Sequence, residues 1–208
     1  VGSEMCIRDR YTVDDKIYGY PEAVLTPWQS LYVNRDIFDA CGITEDPTTV
    51  DELIATCNTI HENGYDPIAI GDKDGWPAVI LCGDYYAQQT ADYGELNKIL
   101  TGEDTFPGNE VFRNAFATVV ELGQNGAYMS GFSSTDHNTA IQAFAAGQTA
   151  MLYCGSWWSS IAGGTDNGFT LDVIQLPLME GLTDNVSVQL CADIALLPTK
   201  DANESALG

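Results

Sequence analysis

Phe144-Ala-Ala-Gly147-Gln-Thr149-Ala-Met-Leu-Tyr-Cys154-Gly155-Ser156-Trp157-Trp158-Ser-Ser160 carries the reading of this chain. A helix end closes on Gly147, an uncharged run follows to Cys154, and Gly155 precedes two tryptophans at a new helix start. A short apolar run bounded by glycines reads as a buried strand. A strand set between two helices belongs to a layered α/β domain.

The same alternation extends in both directions. Upstream, Lys16–Pro21 reads as extended, and Ser30–Asn34 as a strand running into a short helix that stops at Gly42. Thr49 and Glu52 form a capping box, in which each side chain satisfies a backbone donor left free at a helix start. The helix they open presents Val50, Leu53, Ile54, Cys57 and Ile60 on one face and ends at Gly64. Pro67–Ile70 is a short buried strand, and the polar loop from Gly71 to Gly75 leads to Trp76-Pro77 at the head of another helix, where proline's missing amide is harmless. Asn109 caps a helix whose apolar stripe is Val111, Phe112, Ala115, Phe116, Val119 and Leu122, ending at Gly126. Asp136 or Thr135 caps the helix carrying Ile141 and Phe144. Downstream, Phe169–Pro177 alternates like a strand, and Val186–Leu190 with Asp193–Leu197 reads either as one strand pair or as a single interrupted crossover.

Composition narrows the partners. Thirty acids against eight bases give a net charge of -22 over 208 residues. Nucleic acid and anionic membranes are disfavoured, because binding phosphate requires a basic footprint. The excess acid reads as the solvated surface of an exported protein, with a polyamine or other cationic ligand as the alternative. No apolar run approaches the ~18 residues of a membrane span. Val1–Arg10 has no periodicity and resembles a translated sequencing adapter, so fold reasoning sets it aside. With it go two acids, two bases and Cys6, so the net charge is unchanged. Cys41, Cys57, Cys82, Cys154 and Cys191 show no C-x-x-C and no histidine pair to complete a zinc site, and they read as small buried hydrophobes. A Cys41–Cys57 disulfide is the one pairing that the positions near two helix ends bring to mind. No cofactor fingerprint is present: neither a P-loop, a dinucleotide motif nor H-E-x-x-H occurs.

Five segments, in order, resemble the extracellular solute-binding proteins of carbohydrate ABC transporters, the maltose-binding-protein-like family. They are Asp15–Pro21 against "DGKIYGVP", Leu31–Phe38 against "LYYNKDLF", Pro47–Leu53 against "P.TWDEL", Gly64–Pro77 against "GYTPIALGGKDGWP", and Phe144–Trp157 against "FAAGKAAMYIDGSW". The resemblance implies an α/β, periplasmic-binding-protein-like (type II) clamshell, of which this chain holds mainly the C-terminal lobe with hinge crossings. Residues 11–26 would be the end of the N-terminal lobe and a first crossing, 27–185 the C-terminal lobe, and 186–208 the return crossing and the start of the remaining N-lobe segment. The protein would be a monomer outside the cytoplasm, a cell-surface lipoprotein or periplasmic, capturing a sugar or oligosaccharide for the membrane subunits of an ABC permease.

A pyranose offers a weakly polar CH face and a rim of hydroxyls, so its site needs aromatic plates beside planar polar groups. By resemblance Trp157 corresponds to the family's cleft tryptophan, and Lys73, Asp74, Gly75 and Trp76 to its ligand-facing loop. Trp28, just after the first crossing, is a further expected ligand residue, as are Ser156 and Trp158 beside Trp157. The helix beginning near Ser156 would aim backbone amides at ligand oxygens. Trp158 is turned about 100° from Trp157 if both are helical, which also makes it a core candidate. Asp74 has a second reading as the cap of the Trp76 helix, and Lys73 as a solvated side chain. The rival from another class is a secreted carbohydrate-active enzyme. Ser133, Ser134, Asp136 and His137 cluster in sequence, but a triad needs members converging from separate elements, and the cluster reads as a capped helix start.

Overall fold

The computed structural model describes residues 30–90, 94–164 and 166–183 with side chains, and the backbone of four strand segments outside them. Those segments are β1 (Thr12–Val13), β2 (Lys16–Ile17), β3 (Tyr20–Leu25) and β8 (Ala192–Leu196). The adapter-like stretch, Trp28, and most of the expected return crossing lie outside the described residues. The chain divides into two compact units. One contains β1 paired antiparallel with β2, and β3 paired antiparallel with β8 through Tyr20↔Leu196 to Leu25↔Ala192.

The second unit is a four-stranded mixed sheet between two helical layers. Its strands are β4 (Ser30–Asn34), β5 (Asp66–Ala69), β6 (Thr149–Cys154) and β7 (Leu171–Ile174), in the order β5-β6-β4-β7. β5 and β6 are parallel, with Ile68 opposite Met151 and Ala69 opposite Leu152, whereas β4 runs antiparallel to β6 and β7. Every residue of β6 is buried, as the uncharged run demands. Successive side chains leave a strand on opposite faces, and the core divides accordingly. Met151 and Tyr153 join Leu31 and Val33 on one face, while Leu152 and Cys154 join Tyr32 on the other.

The first face is covered by α1 (Arg35–Ala40), α2 (Val50–Glu62), α3 (Trp76–Gln89) and α5 (Glu110–Gln124). The capping box at Thr49 is complete, with both the threonine oxygen and the Glu52 carboxylate engaged. Between α3 and α5 lies α4 (Gly94–Leu100), a two-turn helix with no fully buried residue, which rests on the core through Leu96. The second face is covered by α6 (His137–Ala145) and α7 (Trp158–Ala162). Asp136, rather than Thr135, caps α6 by accepting from the Thr139 amide at 3.0 Å. β7 is held by Arg35, whose guanidinium reaches Asp172 at 2.7 Å and Asp46 at 2.8 Å. Among the described residues Cys41, Cys57, Cys82 and Cys154 are all free thiols, so no Cys41–Cys57 bridge forms. None of the described helices is long and apolar enough to cross a membrane.

The stripe expected on α5 is rotated. Ala115, Thr118, Val119 and Leu122 are the buried residues, spaced for one helical face, and Phe116 is 63 % exposed. Thr118 tolerates the core side because its hydroxyl donates to the Asn114 carbonyl one turn back, at 3.1 Å. Phe116→Ser is therefore expected to change unfolding free energy by no more than about 0.5 kcal/mol. Leu122→Ala, which empties a buried site on the same helix, should cost about 2–5 kcal/mol. Chemical denaturation of the two variants checks both values.

Candidate ligand-binding site

Because β5 and β6 are adjacent and parallel, the segments leaving their carboxyl ends emerge on one edge of the sheet. β5 gives way to Gly71–Gly75 and then Trp76 at the start of α3, and β6 to Gly155, Ser156 and Trp157. A third segment joins them. Tyr128 bridges Ile68 in parallel, with the Met129 amide donating to the Ile68 carbonyl at 2.8 Å. The chain beyond it reaches Asp136 and His137 at the same edge. Ligands of open α/β sheets bind outside the carboxyl ends of the strands, so this edge is where a site is expected.

The loops are fixed by main-chain contacts. The amides of Asp72 and Lys73 donate to the carbonyls of Phe132 and Thr135 at 2.9 and 3.1 Å. Gly71 lies so close to the Asp136 carbonyl and the His137 Cα that no Cβ would fit. Gly75 then turns with φ of 77°, a left-handed conformation that costs glycine nothing, and the helix begins at Trp76. The carboxylate that caps this helix is Asp72's, which accepts from the Ala78 amide at 3.0 Å. Lys73 and Asp74 are exposed at the loop tip.

Two of the expected tryptophans form a corner. The indoles of Trp76 and Trp157 have centroids 6.4 Å apart and planes inclined at 48°. Trp76 is 39 % exposed and Trp157 half-buried, with its six-membered ring lying against Gly155 where a Cβ would otherwise project. A ring sandwiched between two plates needs ~3.5–4 Å on each side, so the corner is too tight to clasp a sugar between its indoles. It instead offers two joined apolar faces. Ser156 is exposed beside it. Trp158, the immediate neighbour, is 2 % exposed and packs against Tyr32 at 5.2 Å and Phe144 at 5.7 Å. The turn of about 100° between successive helical residues therefore sends Trp158 into the core, away from the surface its inclusion among ligand residues would require. The Trp158 and Ser160 amides donate to the Gly155 and Trp157 carbonyls, so these two close the turn instead of facing outward.

His137, read from the sequence only as part of a capped helix start, has contacts that sequence reasoning missed. It is buried, meets Trp76 edge-on with centroids 4.6 Å apart, and places Nε2 at 3.4 Å from Cys154 Sγ. The signal was non-local: nothing in the sequence ties position 137 to positions 76 and 154. Burial holds its pKa below the ordinary histidine value and pushes the Cys154 thiol up to about 12, so both are uncharged at neutral pH. Asp136 lies low because the Thr139 hydroxyl and amide stabilise its charge. The neighbouring hydroxyls are occupied locally, with Ser134 and Thr135 donating to the Gly131 carbonyl at 2.9 Å. His137 thus contacts a thiol and an indole, and no triad is assembled from this cluster. Among the described residues no three His, Cys, Asp or Glu side chains come together to hold a metal ion.

One buried pair ties the first helical layer to the strand that feeds the corner. Tyr153 on β6 donates to Asp84 on α3 at 2.6 Å. Burial raises the Asp84 pKa to about 6, against the opposing effect of this hydrogen bond.

The chain matches the family described as bacterial extracellular solute-binding protein over residues 7–207. An uncharacterized ABC transporter extracellular-binding protein of Pyrococcus horikoshii is 28% identical over 187 residues, which is 85% of this chain and 38% of that protein. A solved structure from work on xylan utilization by the thermophilic bacterium Caldanaerobius polysaccharolyticus is 26% identical with a TM-score of 0.66, covering 88% of this chain and 45% of its own. A chitin oligosaccharide binding protein shares the fold at TM-score 0.68 and 23% identity, over 84% of this chain and 43% of its own. The fold is thus the type II periplasmic-binding-protein-like α/β fold. This chain spans less than half the length of these relatives.

Two outcomes test this geometry. Gly71→Ala should force the loop off the start of α6 and destabilise the protein by about 1–3 kcal/mol, seen as a lower Tm with altered tryptophan fluorescence. Asp84 has a folded pKa above its unfolded value, so its contribution is present in acid and lost as pH rises between about 4 and about 6. Asp84→Asn should flatten the pH dependence of Tm across that window.

Proposed function

Because this chain belongs to the family of bacterial extracellular solute-binding proteins, we propose that it captures a sugar or oligosaccharide for an ABC importer. The Trp76–Trp157 corner at the carboxyl edge of β5 and β6 is the observation that carries this reading. The inclined indoles suit the CH faces of sugar rings. Ser156, Lys73 and Asp74, exposed on the same loops, are the side chains available for hydroxyls. Trp28 is proposed as a further ligand residue by family resemblance alone. Trp158 supports the corner from within the core.

In this reading residues 27–185 build one lobe of a clamshell, residues 11–26 hold the first crossing, and 186–208 hold the return crossing and the start of the remaining N-lobe segment. Sugar bound in the interlobe cleft favours the closed form because it touches both lobes only there. The closed form presents the surface that a permease recognises, and the protein works as a monomer outside the cytoplasm, as a lipoprotein or in the periplasm. The structure from xylan-utilization work, at 26% identity, makes xylo-oligosaccharides the first sugars to try. A polyamine would call for free carboxylates at the corner. Asp72 and Asp136 already hold helix caps, which leaves Asp74 as the one acid among the residues named at the corner that is not committed to a cap, and a single carboxylate suits a sugar better than a polycation.

The test is a thermal-shift and calorimetry screen of the protein, expressed over its whole open reading frame, against xylo- and chito-oligosaccharides, raffinose and polyamines. A sugar that raises Tm and is recovered unchanged is the expected result. Trp157→Ala and Trp76→Ala should each weaken its binding at least about tenfold, a loss of ~1.4 kcal/mol or more, with the unliganded Tm little altered. Hydrolysis of the sugar, or a response to polyamines alone, would overturn the proposal.

A further inference from the structure

Beneath the proposed ligand wall lies an imidazole with no outlet to solvent. His137 is 6 % exposed, and its ring touches elements from both faces of the sheet. On one side it meets the Trp76 indole at the start of α3, at 4.6 Å and 72°. On another its Nε2 meets Cys154 Sγ, the last residue of β6, at 3.4 Å. Its own position is the first residue of α6. The second ring nitrogen, Nδ1, is buried with no hydrogen-bond partner.

None of the groups that act on this ring accepts a hydrogen bond from Nδ1 where it stands. Asp136, from its own turn, accepts from the Thr139 amide at 3.0 Å and the Thr139 hydroxyl at 2.6 Å. Asp72, from the loop entering α3, accepts from the Ala78 amide. Lys73, on that loop, brings a cation that acts on Asp136. Cys154, from β6, remains a neutral thiol at physiological pH. A protonated ring would bury a charged N–H without an acceptor, which is costly. The nearest carboxylates are those of Asp136 and Asp72, and turning the protonated ring toward either withdraws the surface on which Trp76 rests.

We infer that neutral His137 is the positioning residue of Trp76, holding the indole in its corner at neutral pH and releasing it when acid protonates the imidazole. The inference rests on the reading of Trp76 and Trp157 as the ligand wall. Burial lowers the folded pKa of His137, outweighing the pull of Asp136 and Asp72. The contribution is therefore fully present above the unfolded value near 6.5 and disappears as pH falls through the lowered folded value.

The experiment reads the indole without any ligand. The Nε1–H signal of Trp76 in the 15N-labelled chain, assigned with Trp76→Phe, is followed from about pH 8 to about pH 4.5 together with the imidazole signals. Asp84 titrates within this range, so the series is run in the Asp84→Asn background. The signal should hold steady down to about pH 6.5, then shift or broaden in step with His137. His137→Phe, flat and uncharged, should keep the neutral-pH position and lose the acid response. Should that variant not fold, His137→Gln, which cannot titrate, replaces it with the same expectation. A Trp76 signal indifferent to the titration of His137, or one that responds to acid equally in the non-titrating variant, would overturn the inference. A Trp76 signal that tracks His137 in a protein that binds no sugar would uphold the positioning role and sink only the ligand reading.

Discussion

The parallel pairing of β5 with β6 is the contact on which the rest of this unit depends. Had the two strands run antiparallel, the segments after Ala69 and Cys154 would leave by opposite edges, and Trp76 and Trp157 would be separated by the length of the sheet. Parallel neighbours need a long crossover between them, and here the chain from Ile70 to Gln148 supplies it. That crossover contains α3, α5 and α6, so one topological requirement supplies helices to both faces as well as the loop that bears Trp76, while α1, α2 and α7 complete the cover. The bridge between Ile68 and Tyr128 adds a third parallel member, and with it the loop that ends in His137.

Features decided within a few residues were legible in the sequence. The Thr49–Glu52 box, the Asn109 cap, the left-handed glycines after α1 and α2, and proline in the first turn of α3 all depend on chemistry local to a helix end. The uncharged run before Gly155 marked a buried strand because a charge there would have no partner. What the sequence left undecided was rotation about a helix axis. Phe116 belonged to an apolar stripe wide enough that either margin could face outward, and packing against α3 placed it in solvent. Trp157 and Trp158 are chemically identical neighbours with opposite surroundings, and family resemblance grouped together what the turn of the chain separates. The role of His137 beyond its helix start was hidden for another reason, since its partners stand 61 residues before it and 17 after.

The corner combines a rigid frame with little polar machinery of its own. Main-chain hydrogen bonds hold the Gly71–Gly75 loop to Phe132 and Thr135, and Gly155 lets the Trp157 ring settle flat. The carboxylates of Asp72 and Asp136 are spent on caps. In the proposed sugar-binding reading the apolar faces define shape, and hydroxyl recognition falls to the exposed tip residues and whatever the remainder of the protein supplies. Such a division would suit the proposed capture and release of a sugar, because broad apolar contact gives adhesion without a dense set of directional bonds.

The way the loop is anchored also bears on how such a site diversifies. Gly71 and Gly75 are constrained by a close backbone approach and a left-handed turn, whereas Lys73 and Asp74 project from a tip whose path does not depend on their side chains. Substitution at 73 and 74 changes the chemistry shown to a passing solute at little cost to the scaffold. If the tip faces ligand as proposed, inheritance can retune selectivity one tip residue at a time, with the two glycines held fixed.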